Sequence, residues 1–302
     1  MTTQAQKGNA FRALHERPQP FVIPNPWDRG TALLLEHLGF EALATTSLGV
    51  ANMHGCKQVT KQLILDNCRW ICEATQLPVN ADLENGFTHD PRGAADMVRL
   101  ACECGAVGGS IEDWSGDVRT GIYDFQLAVE RVHAAVEVAR SLPLPFMLTA
   151  RAENFLHGRR DLDDTIKRLQ AFEAAGADVL YAPGLHHLEE IRTVVASVSK
   201  PVNIVMGFAD PMLTLEQLGT AGVRRVSIGG GLSRVALNAF LGAARQLIMR
   251  TAPIYGAGRW RLLRWIRDGF VPFRKYSLIG QRRLPTDRRL SILETARASS
   301  RP

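Results

Sequence analysis

The feature that most constrains the fold is a regular alternation of short apolar runs with longer amphipathic runs, repeated eight times. Short apolar runs predict buried strands, and longer runs with apolar residues three or four apart predict helices. The predicted strands are Phe21–Asn25, Ala42–Ser47, Val79–Leu83, Gly108–Asp113, Phe146–Arg151, Val179–Pro183, Val202–Met206 and Arg225–Gly230. The predicted helices are Thr31–Leu38, Lys61–Thr75, Pro91–Glu103, Phe125–Ser141, Leu162–Ala174, Leu188–Val198, Thr214–Ala221 and Ser233–Met249, with a further short helix at Ala10–Glu16.

Eight strand–helix pairs predict a parallel sheet closed into a barrel. The fold class is α/β, a (β/α)₈ TIM barrel with an N-terminal helix and an atypical basic C-terminal extension. Glycines follow several predicted helices, as helix C-caps often do. An open doubly wound sheet would carry a glycine-rich fingerprint after its first strand, and the residues Pro24 to Asp28 contain no glycine. The barrel is therefore the favoured architecture.

Charge divides the 302-residue chain into two predicted parts, 1–250 as the catalytic barrel and 251–302 as a basic tail. Residues 250–302 hold 13 Lys and Arg against 3 Asp and Glu, so of the net charge of +6 the tail carries about +10 and the rest about −4. The tail, with Trp260 and Trp265 among arginines, is read as a packing arm or an unstructured extension; the alternative is a basic amphipathic helix for an anionic surface. We expect neither nucleic acid nor a membrane as partner.

The cysteines indicate a reducing compartment. Their number is five, which is odd, and their spacing matches no zinc-binding pattern. Reduced core thiols are the simpler interpretation, and they predict a cytoplasmic protein.

Charged residues end three successive predicted strands. Asp82 and Glu84 end the third, Glu112 and Asp113 the fourth, and Arg151 the fifth. Strand ends are where barrels place their chemistry, and two acids on one face favour a hard divalent cation between them. Adjacent strand residues face opposite sides, so only one of Glu112 and Asp113 joins the group, and we favour Glu112. The alternative is that each acid is only a helix cap or a solvated loop residue.

Five segments together resemble the isocitrate lyase/phosphoenolpyruvate mutase superfamily over residues 10–249. They are Phe21–Asp28, Ala44–Ala51, Ala81–Phe87, Gly109–Asp113 and Thr149–Asn154. The resemblance implies a homo-oligomeric enzyme that makes or breaks a C–C or P–C bond beside a 2-oxo or 2-hydroxy carboxylate, with Mg²⁺ as cofactor and Mn²⁺ as the alternative.

The resemblance also implies residue roles. Asp82 would bind the metal directly, and Glu84 and Glu112 would hold its waters. Arg151 would clamp a substrate oxygen, and Arg151 and Glu112 are the predicted catalytic residues. Thr46, Ser47 and Leu48 would bind the substrate carboxylate, and Asn203 is a further predicted substrate contact. Cleavage beside a 2-oxo acid leaves an enolate, which such a cation and arginine would stabilise.

Two segments depart from the family's pattern. The loop from Trp114 to Tyr123 has neither cysteine nor lysine, so the thiol acid of the lyases is missing, although Gly116 and Gly121 suit a lid. The segment Met53 to Val59 has no acid where members usually hold a metal-bound water, and Lys57 is expected to weaken metal binding.

Three functions stay open from the sequence. The leading hypothesis is the enolate-forming enzyme on a small carboxylate, and the second is a catalytically degraded barrel that binds a ligand or partner. The third is a phosphosugar-type isomerase that uses Gly229–Gly231 to bind phosphate. The simpler interpretation of these glycines is that they allow the last helix to pack tightly on its strand. His186, His187 and Glu189 lack a third ligand in register for zinc and are read as capping or surface residues.

Overall fold

The computed structural model describes residues 2–206 and 213–248, and this part of the chain forms the predicted (β/α)₈ barrel. The eight strands are β1 Phe21–Ile23, β2 Leu43–Ala44, β3 Val79–Asp82, β4 Gly108–Glu112, β5 Met147–Arg151, β6 Val179–Tyr181, β7 Val202–Val205 and β8 Arg225–Ser227. The ten helices of the described residues are α1 Gln4–Glu16, α2 Arg29–His37, α3 Ser47–His54, α4 Lys61–Ala74, α5 Pro91–Glu103, α6 Phe125–Ser141, α7 Leu162–Ala174, α8 Leu188–Ala196, α9 Leu215–Thr220 and α10 Gly231–Ile248.

The strands run parallel in sequence order around the barrel, and β8 pairs with β1. At the seam between β1 and β2, the amide of Ala44 donates to the carbonyl of Pro24 at 3.0 Å. The Asn25 side chain spans the same seam, because its Nδ2 donates to the Thr45 carbonyl at 2.9 Å and its Oδ1 accepts from the amide of Gly229 at 2.8 Å. One asparagine thus links the carboxyl ends of β1, β2 and β8.

Helix α1 covers the opposite end of the barrel, where the strands begin. Phe11 and Leu14 are buried there against Phe21 and Met147. His15 joins this cluster with its ring edge-on to Phe11 and Phe21. Because α1 covers the end of the barrel where the strands begin, the end where the strands finish is the one that stays open.

The structure corrects several predicted bounds. Helix α1 begins at Gln4, six residues before the predicted Ala10, because Thr3 and Gln6 form a reciprocal capping box. Most strands are shorter than predicted, and the predicted second strand Ala42–Ser47 is shortened by a helix, α3, that the sequence reading missed. Thr46 is the N-cap of α3 and its hydroxyl accepts from the amide of Gly49.

The predicted tail, 251–302, lies outside the described residues, so its role stays a prediction. Among residues 2–206 and 213–248, no helix has the length and apolar character to cross a membrane.

Candidate active site

The guanidinium of Arg151 lies at the centre of an acidic cluster at the carboxyl ends of three strands. Its Nη1 is 3.0 Å from Asp82 Oδ1, its Nη2 3.0 Å from Glu112 Oε2, and its Nε 2.8 Å from Glu153 Oε1. Glu112 and Arg151 are direct neighbours in the β4–β5 register. The structure therefore brings together Asp82, Glu112 and Arg151, three of the residues the sequence singled out.

Asp82 also contacts the N-terminus of α3. The Ser47 amide donates to Asp82 Oδ2 at 3.0 Å, and the Asp82 amide donates to the Thr45 hydroxyl at 2.8 Å. A helix N-terminus favours negative charge, because its first amides have no partner within the helix. The predicted carboxylate-binding residues Thr46, Ser47 and Leu48 thus form the start of a helix aimed at the acidic cluster.

Glu84 joins the cluster for a different reason from the predicted one. The sequence reading placed it on β3 with Asp82 by strand alternation, but β3 ends at Asp82 and Glu84 lies in the following turn. Its backbone is left-handed, with φ of +48°, which is uncommon outside glycine. The turn is fixed by the hydrogen bond from the Glu112 amide to the Glu84 carbonyl, at 3.1 Å.

The cluster holds more negative than positive charge. Four buried or half-buried carboxylates, those of Asp82, Glu84, Glu112 and Glu153, surround one arginine. Burial, followed by the charge of Asp82, raises the pKa of Glu84. Burial raises the pKa of Glu112 well above its usual range although Arg151 opposes it. Burial also opposes ionisation of Glu153, but Arg151 and His157 outweigh it and lower that pKa. A further cation would relieve this repulsion.

Glu153 is a member of the cluster that the sequence reading quoted in a motif but gave no role. Its side chain is 1% exposed and is 3.5 Å from His157 Nε2. The His157 ring stacks on Trp114, with ring centroids 3.6 Å apart and the planes 3° from parallel. The rule that found the other acids, a charged residue just after a strand, would have found Glu153 too.

Asp113 lies outside the cluster. Its Oδ2 is 3.0 Å from Nη1 of Arg168, and its Oδ1 accepts from the Glu153 amide at 2.8 Å. Arg168 also donates to the carbonyl of Tyr123 and to Asp164. This buried ion pair packs behind the strand ends, and its two side chains do not line either of the cavities described next.

A cavity of about 640 Å³ opens beside Asp82 and Arg151. Asn203 lines it, but both polar atoms of its amide are engaged: Oδ1 accepts from Arg225 Nε at 2.8 Å and Nδ2 donates to the Ser227 hydroxyl at 3.1 Å. Tyr181, at the end of β6, also lines this cavity, and its ring centroid lies 5.2 Å from the Arg151 guanidinium carbon. The sequence reading missed Tyr181, which stands at a strand end but carries no charge.

A second cavity of about 520 Å³ lies on the other side of the cluster, where Glu84 and Glu112 face it. Lys57 lines this cavity, on the segment that lacks the expected acid. The loop after β4 forms its far wall, and an antiparallel bridge between Trp114 and Ile122 narrows that loop. Asp117 lines the wall, where it pairs with the exposed Arg119 at 3.3 Å.

The remaining residues that the sequence singled out line the first cavity or begin α8. Gly229–Gly231 and His186 line the first cavity, and Gly230 lies directly against the Leu48 side chain. His187 is the N-cap of α8 but makes no capping hydrogen bond. In the part of the chain that the structure describes, no three His, Cys, Asp or Glu side chains form a complete metal-ligand set, so the zinc alternative has no support.

Comparison with known proteins identifies the family. The family model described as phosphoenolpyruvate phosphomutase matches residues 11–248. The chain belongs to this family. It is thereby an enzyme of the isocitrate lyase/phosphoenolpyruvate mutase superfamily, the superfamily that the five segments indicated.

Individual relatives agree with this membership. The chain is 31% identical over 241 residues to an uncharacterised Mycobacterium tuberculosis protein, covering 79% of this chain and 88% of that protein. It is 30% identical over 228 residues to the 2-methylisocitrate lyase of Escherichia coli K12, covering 72% and 76%. The crystal structure of a candidate lyase/mutase from Burkholderia cenocepacia J2315 is 52% identical, with a TM-score of 0.80 and coverage of 90% and 94%.

Proposed function

We propose that this phosphomutase-family enzyme cleaves or forms a C–C or P–C bond next to a 2-oxo or 2-hydroxy carboxylate, through an enolate-type intermediate and with bound Mg²⁺ or Mn²⁺. The observation that carries the proposal is the convergence of Asp82, Glu112 and Arg151 beside the α3 N-terminus. Anion-binding amides next to an acidic cluster suit a substrate whose carboxylate is bound on one side and a cation on the other.

The donor set of the cluster fits a magnesium ion. Its side-chain donors are carboxylate oxygens, the hard ligands that Mg²⁺ prefers, and they carry surplus negative charge. Mg²⁺ usually keeps several waters and takes one or two carboxylates, so it does not need a closed three-ligand set. Asp82 would hold the ion directly, and Glu84 and Glu112 would hold its waters.

The chain's own residues would then do the following. The amides of Ser47 and Leu48 bind the substrate carboxylate, which requires Asp82 to release the Ser47 amide. Arg151 donates to the oxygen on which negative charge develops, and Glu112 and Glu153 hold the guanidinium in place. Bound metal supplies positive charge for the same developing enolate.

A substrate screen combined with Asp82→Asn tests the proposal. Candidate substrates are 2-oxo acids, malate-like 2-hydroxy diacids and phosphonates, each with Mg²⁺, with Mn²⁺ and with EDTA. Oxalate, an enolate mimic, reports binding by calorimetry. We expect metal-dependent turnover in the wild type and a loss of more than about 100-fold in Asp82→Asn, since second-layer changes alone cost 10–100-fold.

Asp96→Asn is the matched control, because Asp96 lies on the exposed face of α5. It should bind oxalate and turn over as the wild type does. Unchanged turnover in Asp82→Asn would reject the metal assignment. A wild type that neither binds oxalate nor turns over any of these compounds would favour the degraded barrel.

We also propose that the enzyme is a homo-oligomer of the cytoplasm. Helix α10 presents large apolar side chains to solvent, among them Phe240 at 67% and Leu241 at 48% exposure. A second copy of this chain is the occupant we propose for this face, as the superfamily resemblance implies. The five free cysteines support a reducing compartment.

A further inference from the structure

The proposed reaction needs a proton donor that the loop after β4 does not supply. When the bond next to the 2-oxo acid breaks, its electron pair passes to an enolate, whose carbon must then take a proton. The loop from Trp114 to Tyr123 contains neither cysteine nor lysine. Its one phenol, that of Tyr123, is bonded to Asn85 and His89 and lines neither cavity. The donor is therefore sought in another part of the site, and this inference rests on the proposed function.

Two side chains of the types that commonly act as general acids, Tyr181 and His186, line the first cavity in the described part of the chain. His186 lies five residues after the end of β6, outside the strand pairing of the barrel. Tyr181 is the last residue of β6 and is paired in register with Arg151 on one side and Asn203 on the other. Only Tyr181 is thus fixed by the barrel next to the group proposed to hold the reacting oxygen.

The surroundings of Tyr181 suit a phenol that gives up a proton and takes it back. Its ring packs beside the Arg151 guanidinium, at 5.2 Å, so a transient phenolate would lie next to a permanent positive charge. Ser227 lines the same cavity, its hydroxyl accepts from Asn203 Nδ2, and its polarity partly opposes the rise in the pKa of Tyr181. Arg225 in turn donates to Asn203 Oδ1 and to the Thr149 hydroxyl, so the polar layer beneath Tyr181 is fixed in place.

We propose that Tyr181 is the catalytic proton donor of this enzyme. For a 2-hydroxy diacid, the hydroxyl O–H bond of the substrate breaks, its proton passes to water, and its electron pair forms the C=O bond of the released 2-oxo acid. The electron pair of the broken C–C bond forms the enolate of the other fragment. The Tyr181 O–H bond then breaks, and its proton forms the new C–H bond of that fragment. The electron pair of the O–H bond stays on the phenolate oxygen, and water entering the cavity returns the proton. No oxidant or reductant is required.

The ordinary state of Tyr181 agrees with this role. Burial, partly opposed by Arg151, raises the pKa of the Tyr181 hydroxyl, so the phenol is fully protonated before each turnover. A weak acid is still strong enough here, because an enolate carbon is a much stronger base than a phenolate. The same raised pKa makes Tyr181 a poor base, so the proposal assigns it the donor role only.

Tyr181→Phe tests the proposal on the full chain. The assay uses the malate-like 2-hydroxy diacid with the highest kcat/KM in the screen above, and oxalate with Mg²⁺ as the binding probe. A general acid contributes roughly 10²–10⁴-fold, so kcat should fall by that factor. KM and the oxalate Kd should stay within about threefold, since the ring and its contact with Arg151 remain.

Three further variants make the test specific. Tyr123→Phe also removes a buried phenol hydroxyl, one bonded to Asn85 and His89 away from the first cavity, and should keep kcat within about threefold. Ser227→Ala leaves the phenol in place but removes a polar neighbour that lines the same cavity, so it should lower kcat less than Tyr181→Phe and leave oxalate binding unchanged. His186→Gln tests that histidine as the rival donor.

The outcomes separate this inference from the proposed function. Wild-type turnover with kcat of Tyr181→Phe within about threefold overturns the donor role alone. So does an oxalate Kd that weakens in parallel with the loss of kcat, which would make Tyr181 a binding residue. A large loss of kcat in His186→Gln without one in Tyr181→Phe moves the role to His186. A wild type that neither binds oxalate nor turns over overturns the proposed function and the inference together.

Discussion

Replacement of Arg168 by methionine should destabilise the barrel strongly, because it leaves a buried carboxylate without its partner. The Arg168 side chain is 3% exposed and that of Asp113 1%. Arg168 donates to Asp113 Oδ2 at 3.0 Å, to Asp164 Oδ2 at 2.9 Å and to the Tyr123 carbonyl at 3.0 Å. Methionine keeps much of the stem's volume and removes all three hydrogen bonds.

The size of the effect follows from burial. Breaking a buried ion pair by removing one partner costs about 3–5 kcal/mol. For a barrel of this size, each kcal/mol lowers Tm by roughly 2–4 °C, so Tm should fall by about 10 °C. The double variant Arg168→Met/Asp113→Asn removes the unpaired charge and keeps an acceptor for the Glu153 amide, so it should recover more than half of the loss.

Scanning calorimetry of the single and double variants measures these values. Burial already raises the pKa of Asp113 to about 6 in the intact pair. Loss of the arginine raises it further, so above a pH of about 6 the folded variant binds a proton that the unfolded chain and the folded wild type lack. The Tm gap to the wild type should therefore narrow as pH falls from 7 toward 6, and it should change little below pH 6, where both folded forms bind the proton.

Arg99→Met is the matched control, because Arg99 forms exposed pairs with Asp96 and Glu103 and is worth less than about 1 kcal/mol. A Tm loss in Arg168→Met no larger than in Arg99→Met would show that the buried Arg168–Asp113 pair contributes no more than an exposed one. A double variant no more stable than the single one would contradict the role of the unpaired charge, since the cost would then lie in packing.

Three further predictions concern α1, α10 and the strand-start end. Gly8→Ala should lower Tm, because its Cβ would collide with the Pro145 carbonyl. Burial, and then the charge of Arg225, lower the pKa of His15 to about 3 in the folded chain. Below the unfolded pKa of about 6.5, the unfolded chain therefore binds a proton that the folded chain does not bind. Stability should therefore fall as pH drops below 6.5, by about 2 kcal/mol at pH 5 relative to His15→Gln, as read from urea melts. Phe240→Asp on α10 should shift the mass measured by light scattering toward the monomer, and an unchanged mass would reject the α10 interface.

The sequence predicted the barrel well because periodicity is a local signal that a repeated fold makes eight times over. It missed α3, since the eight residues Ser47–His54 show little amphipathic pattern and the helix depends on one cap, Thr46. It also began α1 six residues late, because Lys7 and Gly8, which are buried, do not look apolar. Short helices and polar residues buried by tertiary contacts leave no periodic trace.

The candidate site was predictable where charge marks a strand end. Asp82, Glu112 and Arg151 carry charge at the ends of successive strands, and parallel strands bring such ends to one edge. Glu84 reached the same place through a turn with positive φ, which alternation cannot predict. Tyr181 and Asn203 are uncharged, and their roles depend on partners distant in sequence, Arg151 for Tyr181 and Arg225 for Asn203.

The position of Arg151 among the acids explains how the barrel accommodates several buried carboxylates at one site. Each of the three guanidinium nitrogens of Arg151 pairs with a different carboxylate, so all three acids share its positive charge. Glu153, on the inner side, is the most buried and keeps a lowered pKa, whereas the pKa values of Glu84 and Glu112, facing the second cavity, are raised. Burial therefore disfavours the charged forms of Glu84 and Glu112 more than that of Glu153, which Arg151 and His157 stabilise. Under the proposed function, a cation bound beside Glu84 and Glu112 would stabilise their charged forms, while Glu153 holds Nε of Arg151.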